Sequence, residues 1–252
     1  TMKISYFERD KRQREKNFTE TCGPFSYIGE SFNKYLKQIE CFDDYDNCDF
    51  VGICDGLEIN FKYKDKKSFI HSVWETNALP LEFLKFQNKT KQKVIGLSNQ
   101  VTNLWRAYGI PCETCYPGTD TDFWRPTKPK QKIFQFLHLK SSNVRSGLDL
   151  TLRAFMLAFG ASQDVKLVVK DTYNSPILVQ VIEKLVNQGI NIEYRLGFIP
   201  RDEIRDLYSE SHVCLNLSRF ESFGLMLGES SACGALCITG DFSPTNEIIK
   251  SD

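Results

Sequence analysis

Two carboxylates, Glu221 and Glu229, flank a short turn of sequence Ser222-Phe223-Gly224-Leu225. An apolar run at residues 213–217 precedes the turn, and a small-residue helix is expected over 225–232. The order strand, loop, helix puts Glu221 in the loop and Glu229 on the helix, one turn after Leu225. In an open parallel sheet, ligands bind outside the carboxyl ends of the strands, where such loops lie. Two carboxylates held there can grip sugar hydroxyls. The free N–H groups at the helix start can hold an anion. The plainer reading of the same residues is a surface loop acid and a solvated helix acid.

Other strand ends carry candidate groups. The run 134–140 leads into Ser141-Ser142-Asn143-Val144-Arg145-Ser146-Gly147 and then a helix. Lys140 and Arg145 beside a helix start suit a diphosphate, since cations and backbone N–H groups converge on one anion; two solvated cations on a turn would look the same. Lys170, after the strand at 165–169, reads as a solvated strand-end lysine rather than a ligand. Phe198, in the loop after the strand at 192–196, can serve by packing alone. His71 precedes Trp74 and Glu75 at a strand end, so a structural and a reacting role are both open. His138 and His212 read as structural. In Cys112-Glu113-Thr114-Cys115, strand geometry turns the two thiols to opposite faces, which argues against zinc or redox chemistry. The basic run at 62–67 reads as a solvated loop in preference to a contact with an acidic membrane.

These residues need a scaffold, and the chain alternates strand-like and helix-like segments throughout. In the first half, strands are expected at 3–7, 49–53, 68–73 and 93–97, with another ending before Pro117. Helices are expected from 23–29 to about 39, at 79–88 and at 101–108. A proline- and lysine-containing stretch at 119–132 reads as a linker. Beyond it come strands at 133–139, 165–169, 192–196, 213–217 and 235–239, with helices at 147–159, 176–187, 201–209, 225–232 and from Pro244. Strands separated by helices of this length imply parallel sheets with right-handed crossovers. Two such runs predict two Rossmann-like domains, residues 1–122 and 123–252.

Bulk properties are those of an ordinary globular chain. The 252 residues are 41% hydrophobic and 25% charged, with 32 basic against 32 acidic side chains. That balance supplies no drive toward nucleic acid or an anionic surface. No apolar run approaches a membrane span, and no signal peptide is read at the start. Nine cysteines, an odd number without a regular framework, favour a reducing, cytoplasmic compartment.

The segment 218–234 resembles the E-x7-E signature of retaining nucleotide-sugar glycosyltransferases of the GT-B fold, a group that includes sucrose-phosphate synthases and bacterial mannosyltransferases. The resemblance is strongest over residues 69–237. It implies an α/β protein with two Rossmann-like domains whose parallel sheets face across a cleft. The N-terminal domain would be the acceptor side, and residues 23–29 loosely match its glycine-rich first loop. By resemblance, Glu229 holds the ribose hydroxyls and Glu221 meets the donor hexose. The backbone of Ser222, Phe223, Gly224 and Leu225 binds sugar and phosphate, and Gly197, Phe198 and Ile199 lie beside the base. His71 matches a position near the reacting centre. Arg145 and Gly147 match the family's phosphate loop, but Ser146 replaces its usual lysine, a charge that Lys140 could supply. Ser222 stands where glycine is usual, which is costly if that position needs a positive φ. Residues 116–126 resemble the family's hinge.

The implied reaction moves a hexose from a nucleoside diphosphate sugar to an acceptor hydroxyl with retention of configuration, without a metal or other cofactor. The partner is the nucleotide-sugar donor, with a glycan, lipid or small-molecule acceptor left open; nucleic acid is not expected, and membrane association is possible but not indicated. The chain stops soon after residue 246, short of the enzymes it resembles. It therefore reads as a compact version, a fragment or a degenerate relative. The rival readings are a non-catalytic module that binds a sugar nucleotide or partner, and an epimerase or phosphorylase on the same fold.

Overall fold

The computed structural model describes residues 3–8, 40–41, 50–54, 67–140, 144–172 and 174–249. The helix expected from residue 23 and most of the basic run at 62–67 lie outside them. The described chain divides into two compact units, Thr1–Pro117 and Gly118–Asp252. Thr119 and Asp120 fall with the second unit for a local reason. A Cβ at Gly228 would come within 2.3 Å of the Thr119 hydroxyl, so the two segments touch through a missing side chain. The Asp120 carboxylate accepts from the Asp122 and Phe123 N–H groups, each at 3.2 Å, and fixes the turn that follows.

The first unit contains a parallel sheet of six strands: β1 (Lys3–Glu8), β2 (Glu40–Cys41), β3 (Phe50–Cys54), β4 (Lys67–Ser72), β5 (Lys93–Gly96) and β6 (Cys112–Thr114). Their order is β2-β1-β3-β4-β5-β6. The two-residue β2 carries no sequence pattern and was not foreseen. Helix α1 (Leu81–Thr90) and helix α2 (Asn99–Ala107) follow β4 and β5. Ser98 caps α2 by accepting from the Val101 N–H at 3.3 Å. Trp105 is buried on α2 and donates to the Ser72 hydroxyl at 2.8 Å, tying the helix to β4 next to His71. Ile70, Val94, Val101, Trp105 and Cys112 form this unit's core.

The second unit holds five parallel strands: β7 (Phe134–Leu139), β8 (Val165–Asp171), β9 (Ile192–Leu196), β10 (Val213–Asn216) and β11 (Leu236–Thr239). Helices α3 (Leu148–Phe159), α4 (Pro176–Asn187), α5 (Arg201–Glu210) and α6 (Leu225–Ala232) connect them, and α7 (Thr245–Ile248) follows β11. The strand order is β11-β10-β7-β8-β9, the doubly wound arrangement in which the winding reverses between β7 and β10. The inner strands β8 and β10 are covered on both faces, and they read as mostly apolar runs. Alternation sorts them between two cores. Phe136, Leu167, Val169, Val213 and Leu215 pack with Leu148, Leu152 and Phe155 of α3. Leu137, Val168 and Cys214 face the other way, onto Trp124, Leu207, Tyr208 and Met226. Each fully buried leucine or valine of this kind contributes about 2 kcal/mol.

Gly147 is the residue that lets the loop after β7 reach β10. Its φ is 72°, and a Cβ there would lie 1.9 Å from the Leu217 carbonyl oxygen. Gly109 has a similar φ of 75° but open space around it. Gly109→Ala is therefore expected to cost about 1 kcal/mol, the left-handed backbone term alone. Gly147→Ala should cost more, about 3 kcal/mol, because backbone must also move. Urea midpoints of the two variants check this; equal losses would show that the contact with Leu217 does not constrain the loop.

Candidate functional site

The reversal between β7 and β10 sets two loops side by side at the carboxyl ends of those strands. Arg219 binds one to the other. Its N–H donates to the Arg145 carbonyl at 2.8 Å, and its guanidinium donates to the Val144 carbonyl and both oxygens of Asp149. In this frame Lys140, Arg145 and Glu221 come together. The Lys140 ammonium donates to a Glu221 carboxylate oxygen and, at 2.7 Å, to the Ser218 hydroxyl. Arg145 lies 3.7 Å from the other Glu221 oxygen and donates to the Phe220 carbonyl at 3.1 Å. Glu221 is 5% exposed. A carboxylate so buried requires ion-paired partners, and these two cations supply them. Lys140 is mostly covered, whereas Arg145 is the more exposed of the pair.

Ser222 and Phe223 are buried behind Glu221, and Gly224 opens α6. The question raised by Ser222 resolves simply: the left-handed residue is Gly224, with φ 93°, and the non-glycine residues with positive φ among those described are Lys91 and Asn174. Serine at 222 therefore carries no backbone penalty. Ser146, in the place of the expected lysine, is also buried.

Glu229 sits one turn into α6, with the Tyr208 hydroxyl donating to it at 3.5 Å, the outer limit of a hydrogen bond. Burial pushes its carboxyl up to about 7, against the opposing pull of Arg201. The Arg201 guanidinium in turn lies over the rings of Phe123 and Trp124, at 4.7 and 5.0 Å.

Gly197, with φ 107°, leads the loop after β9. Phe198 is 66% exposed, so packing does not account for it, while Ile199 leans on the core beside Tyr208. Lys170 corrects the sequence reading. It is buried, not solvated, and donates to the carbonyls of Gly197 and Asp171.

His71 belongs to the first unit, on β4 in register with Ile95. It is 2% exposed, and burial lowers its pKa to about 4, so the ring is neutral at pH 7. His138 and His212 are structural, as expected. His138 is fully buried at 2.9 Å from the Thr151 hydroxyl, and His212 stacks on Phe134 and accepts from the Gln135 N–H.

Residues 120–252 match the protein family described as glycosyl transferases group 1. The chain belongs to that family. A curated relative, the gpi3 subunit of phosphatidylinositol N-acetylglucosaminyltransferase from Schizosaccharomyces pombe, is 26% identical over 127 residues, covering 50% of this chain and 27% of the relative. The chain thus spans about a quarter of that protein's length. Among solved structures, Anabaena HepE in complex with UDP-glucose superposes with a TM-score of 0.71 at 13% identity, over 100% of this chain and 84% of that one. A glycosyltransferase from Rickettsia africae ESF-5 gives 0.68 at 18% identity, over 99% and 74%. These likenesses show the fold, which is GT-B with two Rossmann-like units.

In this group 1 chain, sequence reasoning located the acids and cations but missed their supports. Ser218, which receives the Lys140 ammonium, carries no signal in the sequence. Tyr208 and Arg201 were lost in an amphipathic helix, although residues seven apart share a helix face and so pointed at one target.

Two outcomes follow from the charges. Lys140→Met should destabilise by about 3 kcal/mol by stranding Glu221, and Glu221→Gln in the same chain should recover part of that loss. An additive double-mutant cycle in denaturant would refute the coupling. For Glu229, the folded value near 7 lies above the ordinary 4.5, so the folded state holds the proton more tightly. The resulting stability is fully present below about 4.5 and is lost as pH rises through about 7. Tm of the wild type should therefore fall relative to Glu229→Gln between pH 5 and pH 8; parallel curves would contradict the assignment.

Proposed function

We propose that the chain moves a hexose from a nucleoside diphosphate sugar to an acceptor hydroxyl, retaining the anomeric configuration and using no metal. The observation that carries this reading is the meeting of Lys140, Arg145 and Glu221 with the Gly224-opened start of α6, at the winding reversal of the second sheet. Parallel sheets bind ligands at that point.

The chemistry asks for charge neutralisation where the sugar–diphosphate bond breaks. The bond from the anomeric carbon to the diphosphate oxygen cleaves, and one to the acceptor oxygen forms on the same face. The acceptor's proton passes to the departing diphosphate. Arg145 and the N–H groups at the α6 start would meet the growing negative charge. Lys140 would act mainly by holding Glu221, whose carboxylate orients the hexose. Glu229 would take the ribose hydroxyls. Burial raises its pKa to about 7, and ribose hydroxyls donating to it would favour the charged form.

The ends of β8 and β9 lie about 5 and 10 Å along the sheet edge from β7, given strand spacing. A nucleoside laid along that edge would bring its base to Gly197, Phe198 and Ile199. UDP-glucose in Anabaena HepE and the N-acetylglucosaminyltransferase name of the fission yeast relative make uridine diphosphate sugars the first donors to test. The acceptor is a glycan, a lipid or a small molecule. No helix among the described residues is long and apolar enough to cross a membrane. A cytoplasmic location is part of the proposal.

One observation favours a second reading, a sugar-nucleotide-binding module without turnover. Glu221 is 5% exposed and already paired with Lys140 and Arg145, which leaves little of its carboxylate open to a sugar.

UDP-, GDP- and ADP-sugars, assayed for thermal shift and nucleotide release, separate the two. Release that depends on an added acceptor supports transfer. Binding without release supports the module. Glu229→Ala should weaken donor binding about tenfold or more, the size of lost hydrogen bonds to a charged group; unchanged affinity would sink the ribose assignment.

A further inference from the structure

The carboxyl ends of β8 and β9 are joined by a device that the transfer reaction does not by itself require. Lys170 is the penultimate residue of β8 and is 3% exposed. Its ammonium donates to the Gly197 carbonyl and, at 3.2 Å, to the Asp171 carbonyl. The Asp171 carbonyl also accepts from the Gly197 N–H at 2.9 Å. The Tyr194 hydroxyl donates to the Asp171 carboxylate at 2.9 Å, fixing the same corner from β9. The Lys170 carbonyl accepts from the Lys140 N–H at 3.2 Å, so the residue also touches the start of the anion loop.

The Gly197–Phe198 peptide is trans, since the cis bond among the described residues is Ser243–Pro244. In a trans peptide the C=O and the following N–H point in opposite directions. Gly197, at φ 107°, has no Cβ to limit its ψ, so the peptide that follows can swing over a wide range of directions. Lys170 removes that freedom. With the Gly197 carbonyl drawn onto the ammonium, the Phe198 N–H is aimed away from Lys170, and no described residue accepts it.

We propose that Lys170 is a positioning residue that sets the direction of the Phe198 N–H and thereby the preference for one nucleotide base. This rests on the reading that residues 197–199 face the base. A planar base presents donors and acceptors in a fixed order along its edge. One N–H aimed at it accepts some edges and rejects others. A peptide free to swing would spread the N–H over many directions and lose that discrimination.

The test compares wild type with Lys170→Met and Lys170→Arg by calorimetric titration with UDP, GDP, ADP and inorganic pyrophosphate. The wild type should prefer one base. Lys170→Met should lose about tenfold in affinity for that nucleotide, the size of one well-made hydrogen bond. It should approach the affinity of the other two, while pyrophosphate binding changes less than about twofold. Lys170→Arg, which keeps donors for both carbonyls, should retain the preference.

An unchanged preference in Lys170→Met overturns the proposal, as does an equal loss for pyrophosphate, which would signal general damage. A wild type that binds all three nucleotides alike overturns it too, while leaving the transferase reading intact. Failure of the wild type to bind any nucleotide overturns both. Should Lys170→Met not fold, the wild-type Phe198 amide resonance decides. A shift with the preferred nucleotide but not with pyrophosphate supports the role, and no shift overturns it.

Discussion

A carboxylate taken out of water at the parting of two crossovers has to be matched by charge close at hand, and in this chain that demand organises the second unit. Glu221 could not stay buried without Lys140 and Arg145. Those cations arrive only because the loop after β7 approaches the exit of β10 within backbone contact. That approach depends on Gly147 lacking a side chain against Leu217. Sheet winding, a glycine and an ion pair are thus successive links of one chain of cause. The winding chooses the place, the glycine closes the distance, and the charges fix the loops.

The same site shows two treatments of an acidic group. Glu221 is met by two cations at the cost of being occupied. Glu229, one turn into the following helix, has weaker help: a distant tyrosine hydroxyl and an arginine that also rests on two aromatic rings. Burial then dominates and lifts its carboxyl toward neutrality. The two acids of the motif are therefore electrostatically unlike, although nothing in their spacing distinguishes them.

Much of the architecture was legible because period and punctuation agreed. Helix α4, strand β9 and helix α6 span the expected 176–187, 192–196 and 225–232. Short edge elements such as β2 escaped, having too few residues to show a period. Among site residues, the sequence pointed to loops but not to what each side chain meets inside them. Lys170 is the clearest case. A strand-end lysine is ordinarily solvated, and only the sheet order shows that the neighbouring strand β9 brings the Gly197 carbonyl within its reach. Ser222 failed in the opposite direction. Its family position suggested strain, but the left-handed turn falls two residues later.

That displacement of the turn bears on how this segment can diverge between lineages. Because Gly224 alone absorbs the unusual backbone angle, position 222 is released from any demand for glycine and constrained only by the room behind Glu221. Small side chains can accumulate there by neutral drift, whereas 224 stays locked. Of the two positions, only the later one is held to glycine by the backbone.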